Sequence, residues 1–100
     1  MNNEEKPKFI AVKAEYFRAF KDGSKTVEWR KFGPGYNERT LWIGRPITIS
    51  NGYSGARLHG TITALDFMPA RLVSKEALLY YAPSDTLVGI HVKLRHPQRR

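Results

Sequence analysis

The chain has 100 residues, which is enough for one small domain and leaves no room for a second hydrophobic core. Hydrophobic residues make up 41% and charged residues 26%, which is typical of a folded domain and excludes a disordered chain. The sequence contains no Cys, so disulfides, thiolate metal sites and a Cys nucleophile are excluded.

The charge is strongly positive. Lys and Arg number 17 against 9 Asp and Glu, which gives a formal net charge of +8. A surplus of this size on a small surface concentrates polyanions, and nucleic acid is the commonest of them in a cell. We therefore predict a nucleic-acid or phosphate-bearing partner. The alternative is that the charge only keeps the protein in solution.

Residues 1–8 are predicted to be a polar lead-in, residues 9–95 a single domain and residues 96–100 a basic tail. The first residues carry no apolar run of the kind found in a signal peptide. No stretch of the sequence is long and apolar enough to span a bilayer. We therefore expect a soluble, cytoplasmic protein without a membrane partner.

Hydrophobic periodicity predicts elements in the order β, α, β, β, β, α, β. Gly23 is placed to end the first helix in a left-handed conformation, and Ser74 to cap the second. The apolar face of the fourth strand changes near Ala64, which indicates a bulge. Short strands protect their edges by closing on themselves, so the predicted fold is α+β: a small, partly closed β-barrel of about five strands with two short helices. The predicted strands are 9–13, 26–30, 46–50, 57–67 and 87–95, and the predicted helices are 15–22 and 74–81.

The junction between the first helix and the second strand holds the most informative residues. Lys25 lies in the turn that follows Gly23, while Glu28 and Arg30 share one face of the strand. Glu28 can hold Lys25 or Arg30 through a charge-assisted hydrogen bond. Arg30 can fork onto a phosphate, a carboxylate or a base edge. The alternative is an ordinary solvated strand face, on which such ion pairs contribute little.

This junction resembles the signature of the ASCH family (activating signal cointegrator homology). In that family a helix is followed by Gly-x-Lys and, after a short gap, by Glu-x-Arg on the next strand. Residues 23–25 (GSK) and 28–30 (EWR) carry this pattern, and residues 44–47 and 59–62 are similar to later elements of the family. The resemblance covers residues 9–94. It implies a PUA-like β-barrel with a cleft lined by Lys25, Glu28 and Arg30.

The resemblance implies a function connected with RNA. Members of the family are associated with RNA binding and RNA-linked regulation, and some bacterial members are ribonucleases. Another branch hydrolyses N4-acetylcytidine with a Lys, a Thr and a Glu, and the strand position that matches Glu28 is Thr in that branch. We predict that the basic cleft binds RNA or a nucleotide-like ligand. One alternative is a hydrolase, either a ribonuclease or an N4-acetylcytidine amidohydrolase, with Lys25 and Glu28 as catalytic residues; another is a regulatory protein-interaction domain.

Further candidates for nucleic-acid binding lie after the third strand. Gly52 and Gly55 leave Tyr53 room to project, and Arg57 and His59 lie on the polar side of the next strand. Aromatic rings interleaved with Arg can stack on bases and hold phosphates, so Tyr53, Arg57 and His59 are predicted to contact the ligand. The alternatives are a tyrosine packed on the rim of the core and a histidine without a partner.

The remaining chemistry-bearing residues give weaker signals. Asp66 and Glu76 follow the long fourth strand and could meet the cleft, but the pattern does not place them. No His, Asp or Glu spacing in the sequence matches a metal site, and no Walker, Rossmann or Gly-x-Ser-x-Gly motif is present. We therefore expect neither a metal ion nor a cofactor.

Overall fold

The fold was analysed in a computed structural model, which describes residues 6–95. Five strands form one mixed sheet that curls into a half-barrel, as predicted. The strands are β1 (Lys8–Val12), β2 (Val27–Lys31), β3 (Pro46–Asn51), β4 (Arg57–Pro69) and β5 (Thr86–Leu94), and the α-helix α1 is Ala14–Asp22. The strand order is β1-β3-β4-β5-β2; β1 and β3 run parallel, and all other neighbours are antiparallel. β1 and β2 are therefore the two edges of the sheet.

The helix α1 closes one side of the hydrophobic core. Phe17 and Phe20 lie three residues apart, so both rings point to the same side of the helix and are buried. Glu15 in the first turn and Lys21 in the last favour the helix dipole. Gly23 has a φ of 88° and its N–H donates to Phe20 O, which confirms the predicted left-handed end of the helix. The aliphatic residues of this core include Ile10, Val12, Ile47, Ile49, Ile62, Val88 and Ile90.

A bulge in β4 allows this long strand to pair with two neighbours. The register between β4 and β5 shifts between Ile62 and Ala64, as the change of apolar face predicted. β4 pairs with β3 through residues 57–61 and with β5 through residues 60–69. The extra residue increases the local twist. It therefore helps the sheet to curl.

The prediction of a second α-helix over residues 74–81 is wrong. The structure has two short 3₁₀ helices instead, at Ala70–Leu72 and Glu76–Leu79. Ser74 Oγ accepts a hydrogen bond from Ala77 N at 3.1 Å, but the N-cap residue of the second 3₁₀ helix is Lys75 and not the predicted Ser74. Ala77 is buried, whereas Leu78 and Leu79 are 41% and 77% exposed. This segment buries too little apolar surface to hold a longer helix.

A second, smaller apolar cluster lies under these 3₁₀ helices. Its buried residues are Ala70, Ala77 and Leu87, and Trp29 of β2 packs against it. Trp29 is the register partner of Gly89 on β5. A Cβ atom on Gly89 would lie 2.5 Å from Trp29 Cη2, so the indole ring occupies the space that any larger residue would need.

We expect the substitution Gly89→Ala to lower the free energy of unfolding by about 1–3 kcal/mol, because the added methyl group displaces the Trp29 ring. Urea unfolding followed by tryptophan fluorescence measures the change. Gly33→Ala is the matched control, since its nearest neighbouring atom would be 4.0 Å from the added Cβ. Equal unfolding midpoints for the two variants would show that the close approach of Gly89 to the Trp29 ring does not contribute to stability.

Candidate functional site

The two edge strands of the half-barrel are joined by an arginine side chain. Arg30 of β2 donates from Nη2 to Ala11 O of β1 at 2.8 Å. The same guanidinium donates from Nε to Glu28 Oε2 at 2.8 Å. A β-strand edge otherwise leaves its carbonyl groups unpaired. Arg30 therefore connects the sheet's two edges, and the candidate site lies at this seam.

The three residues of the predicted motif converge here. Glu28 is 7% exposed, and its two carboxylate oxygens face different cations. One oxygen accepts from Arg30, and the other lies 3.6 Å from Lys25 Nζ. Lys25 Nζ also lies 5.3 Å and 5.4 Å from the ring centroids of Tyr16 and Phe20 on α1. Glu28 is thus a buried anion that positions two cations.

Most of the hydrogen-bonding capacity of Arg30 is used within the protein. Besides Glu28 and Ala11, Nη1 donates to the Tyr36 hydroxyl at 3.4 Å. Burial lowers the pKa of Arg30, but the charge of Glu28 and the hydroxyl of Tyr36 raise the pKa by more, so it lies above the usual value. A guanidinium carries five N–H groups. Within residues 6–95, contacts with three partners leave about two of those groups for a ligand.

The cluster lines a cleft of about 330 Å³. Aromatic residues line the same cleft: Tyr16 from α1, Trp29 from β2, and Tyr80 and Tyr81 from the segment after the second 3₁₀ helix. Lys13 stands at the side, with Nζ 5.2 Å from the centroid of the Tyr80 ring. Rings and charges that share one concave surface can stack on a flat group and hydrogen-bond to its edge.

Glu76, which the sequence did not place, also lines the cleft. The Tyr16 hydroxyl donates to its carboxylate and so ties α1 to the second 3₁₀ helix. That hydrogen bond raises the pKa of Tyr16. Burial raises the pKa of Tyr81. Both phenols therefore stay protonated at neutral pH, and the Tyr16 proton is the one that it donates to Glu76.

The other predicted binding residues lie elsewhere. Tyr53, Arg57 and His59 are absent from the cleft lining and lie on the turn after β3 and on β4. The Tyr53 ring stacks on Phe9, with 6.4 Å between the centroids. His59 Nδ1 is 3.2 Å from Thr48 Oγ1. Their contact with nucleic acid stays a prediction, but one small ligand in the cleft would not reach them.

Asp66 does not line the cleft. Its Oδ2 lies 2.6 Å from His91 Nε2, and this side-chain contact joins β4 and β5. Within residues 6–95, no three His, Asp or Glu side chains come together as metal ligands. In the same part of the chain, no helix is long and apolar enough to cross a membrane.

The sequence does not reveal the aromatic residues of the cleft. The helical spacing of Tyr16 and Phe20 fits the apolar side of the first helix, and Tyr80 and Tyr81 fall at the end of the predicted helix 74–81. No pattern of near neighbours in the sequence brings these three tyrosines to one cleft.

No family model and no curated protein matches the sequence. The fold is similar to crystal structures of two single-residue variants of ZmASCH from Zymomonas mobilis, with TM-scores of 0.67 and 0.62. Sequence identity is 15% in both cases, and the match covers 85% of this chain and 67% and 66% of those chains. The predicted ASCH-type fold is thereby confirmed, and at this identity the likeness concerns the fold alone.

Proposed function

We propose that this ASCH-like domain binds RNA in the cytoplasm by holding one nucleotide in the cleft at the seam of the half-barrel. The observation that carries the proposal is that Lys25, Glu28 and Arg30 form one cluster in a cleft that aromatic residues also line. Its volume of about 330 Å³ is at the lower end of the range for small-ligand sites, which suits one nucleotide.

Each residue of the cleft contacts the nucleotide according to its chemistry. The rings of Trp29, Tyr80 and Tyr81 offer surfaces on which a base can stack, and stacking on a protein ring contributes about 1–3 kcal/mol per base. Lys25, whose side chain is 24% exposed, is available to a phosphate. Arg30 can supply its remaining N–H groups to a base edge or a phosphate oxygen. The buried Glu28 carboxylate orients both cations.

The charge of the cleft fits one nucleotide better than a long polyanion. Three cations and two carboxylates line it, which leaves a single positive charge. The net charge of the whole chain is +8, so most of the positive surface lies outside the cleft. That surface would draw RNA towards the protein without reading its sequence. The cleft would then select an unpaired nucleotide.

Hydrolysis is the second candidate, because a lysine and two carboxylates, Glu28 and Glu76, share the cleft. Lys25 would act with a carboxylate on an RNA phosphodiester or on the acetyl amide of N4-acetylcytidine. Glu28 already accepts from Arg30 and faces Lys25, which favours a positioning role. Chromatography after incubation with acetylated cytidine and with short RNAs tests this candidate. Turnover no greater than that of the Lys25→Ala variant would exclude it.

We expect the substitution Lys25→Ala to weaken the binding of a fluorescent RNA hexamer by about 10- to 150-fold, because a charge-assisted contact to a phosphate contributes about 1.5–3 kcal/mol. Fluorescence anisotropy at several salt concentrations measures the affinity. The salt dependence should also become shallower, since one phosphate contact is lost.

Lys21→Ala is the matched control for this experiment. Lys21 carries the same charge in the last turn of α1, four residues before Lys25, but it is exposed and does not line the cleft. Equal losses of affinity in the two variants would mean that the affinity for RNA depends only on the overall charge of the protein. If the wild-type chain does not bind the RNA hexamer at all, the remaining alternative is a regulatory domain that contacts an acidic protein.

A further inference from the structure

We infer that the RNA strand continues from the cleft to a phosphate-binding site formed by Lys8 and Arg45, which the Tyr36 ring links to Arg30. We call these two residues, Lys8 and Arg45, the Lys8–Arg45 site. The inference rests on the proposed function, because the strand is the one whose nucleotide lies in the cleft. It adds a contact for the backbone phosphate of a neighbouring nucleotide, so that the ligand is a single strand and not a mononucleotide.

Lys8 lies on the same face of the sheet as the cleft residue Arg30. Lys8, Ile10 and Val12 alternate along β1 and so share a face, and Ile10 and Val12 are buried in the core. On β2, Arg30 is the register partner of Val88, another buried core residue. Residues that are directly opposite in neighbouring strands point to the same face. Lys8 and Arg30 therefore both project from the core face, one from each of the two sheet edges that meet at the seam.

The Tyr36 ring connects Lys8 with Arg30. Lys8 Nζ lies 4.4 Å from the centroid of this ring, and the guanidinium carbon of Arg30 lies 5.7 Å from the same centroid. Arg30 Nη1 also donates to the Tyr36 hydroxyl at 3.4 Å. Since Arg30 lines the cleft, a single aromatic side chain lies between a cleft residue and Lys8.

The distance from the cleft to Lys8 is short for a nucleic acid. Ala11 lines the cleft and its carbonyl oxygen accepts from Arg30. Lys8 precedes Ala11 by three residues on the same strand, which is about 10 Å. A nucleic-acid strand advances by about 3.4 Å per stacked nucleotide. A few nucleotides are therefore enough to reach from the cleft to Lys8.

Arg45 adds a second cation beside Lys8. Its Nε donates to Lys6 O at 3.1 Å, which holds the side chain at the start of β1, and its Nη1 donates to Thr40 O. Its guanidinium carbon lies 4.8 Å from the centroid of the Trp42 ring. A guanidinium has five N–H groups, so these contacts leave donors for the oxygens of a phosphate.

The charges of Lys8 and Arg45 are not neutralised by any carboxylate in the described part of the chain. Lys8 Nζ donates to Gly35 O at 2.6 Å, and the hydrogen-bond partners of Arg45 are backbone carbonyl groups as well. The ion pairs among residues 6–95 involve neither side chain. Burial and, after it, the positive charges of Arg45 and Arg30 lower the pKa of Lys8. A bound phosphate would offset this repulsion between cations.

A single strand of RNA is the form of phosphate that this arrangement favours. Neither Lys8 nor Arg45 lines the cleft, so a mononucleotide in the cleft leaves both of them unoccupied. In a duplex the bases are paired and stacked, whereas an unpaired strand can place one base in a cleft while its next phosphates lie on cations nearby. Affinity should therefore rise with the length of the ligand until the cleft and the Lys8–Arg45 site are both occupied.

The test compares adenosine monophosphate, an adenylate hexamer and inorganic phosphate, using the wild-type chain and the variants Lys8→Met, Lys25→Ala and Lys21→Met. Isothermal titration calorimetry gives the affinities, and the urea midpoint of each variant verifies that it is folded. Lys8→Met keeps a flexible side chain of similar length but removes the charge. Lys21→Met is the matched control, because Lys21 is exposed in the last turn of α1.

We expect Lys8→Met to weaken hexamer binding by about 10- to 150-fold, the equivalent of one charge-assisted phosphate contact, and to leave mononucleotide binding unchanged. The dependence of hexamer binding on salt should also become shallower by about one phosphate contact. Lys21→Met should bind both ligands as the wild type does. Inorganic phosphate should bind far more weakly than the hexamer, because it gains nothing from the cleft.

Failure of this inference can be distinguished from failure of the proposed function. Hexamer binding that is weakened in Lys25→Ala but equal in Lys8→Met and Lys21→Met would overturn the Lys8–Arg45 site and retain the cleft. A hexamer that binds the wild-type chain no better than the mononucleotide would also overturn the site. Inorganic phosphate that binds as tightly as the hexamer would overturn RNA as the source of the phosphate. Absence of binding by both nucleotide ligands would overturn the cleft and the site together.

Discussion

Replacing Glu28 with alanine is expected to lower the free energy of unfolding by about 2–4 kcal/mol, a large part of the stability of a domain of this size. The Glu28 side chain is 10% exposed and lies between Lys25 and Arg30. Without the Glu28 carboxylate, the Lys25 and Arg30 cations lose the negative charge that neutralises them in a partly buried site. For this reason, removing one partner of a buried ion pair strongly destabilises the folded state.

Urea unfolding followed by circular dichroism measures this effect. Glu28→Gln keeps the shape and one hydrogen-bond acceptor, so we expect it to lose about half as much stability as Glu28→Ala. The control is Glu38→Ala, because Glu38 is exposed in the loop between β2 and β3. If Glu28→Ala unfolds at the same urea concentration as Glu38→Ala, the carboxylate does not hold the cluster together.

Replacing Arg30 with alanine is expected to cost a similar amount, about 2–4 kcal/mol, for a different reason. It removes the hydrogen bond that joins β2 to Ala11 O of β1 and leaves Glu28 without its closest partner. The seam of the half-barrel should then open. Within residues 6–95, β1 pairs with β3 alone, so hydrogen exchange should become faster at the backbone amides of β1.

The variant Arg30→Lys separates charge from geometry. A lysine keeps the positive charge but has a single nitrogen, so it cannot reach Glu28 and Ala11 O together. We expect it to recover less than half of the lost stability. Arg18→Ala, an exposed position on α1, is the control. Full recovery in Arg30→Lys would show that the charge alone matters and that the bridge to β1 contributes nothing.

The sequence predicted those features that depend on near neighbours in the chain. The helix with its buried Phe17 and Phe20, and its left-handed end at Gly23, follow from spacing and from the conformational freedom of glycine. The bulge near Ala64 follows from the change in the apolar face of β4. The nearness of Lys25, Glu28 and Arg30 follows from one turn and the period of a strand. All of these involve fewer than about ten residues.

Features that depend on distant parts of the chain could not be predicted. Tyr16 and Glu76 are 60 residues apart, and only the folded sheet brings them together. The bridge from Arg30 to Ala11 O requires the two edges of the sheet to meet, which no local pattern encodes. The 3₁₀ helix at Glu76–Leu79 was predicted as an α-helix because helical periodicity does not reveal how much apolar surface the fold will bury.

Nucleotide binding at the seam can be tested by nuclear magnetic resonance titration with adenosine monophosphate. We expect the largest chemical-shift changes at the side chains of Lys25 and Arg30 and at the rings of Trp29 and Tyr81, all of which line the cleft. Saturation at these positions should give one common dissociation constant. Shifts that are confined to surfaces outside the cleft, with these four side chains unchanged, would contradict nucleotide binding at the seam.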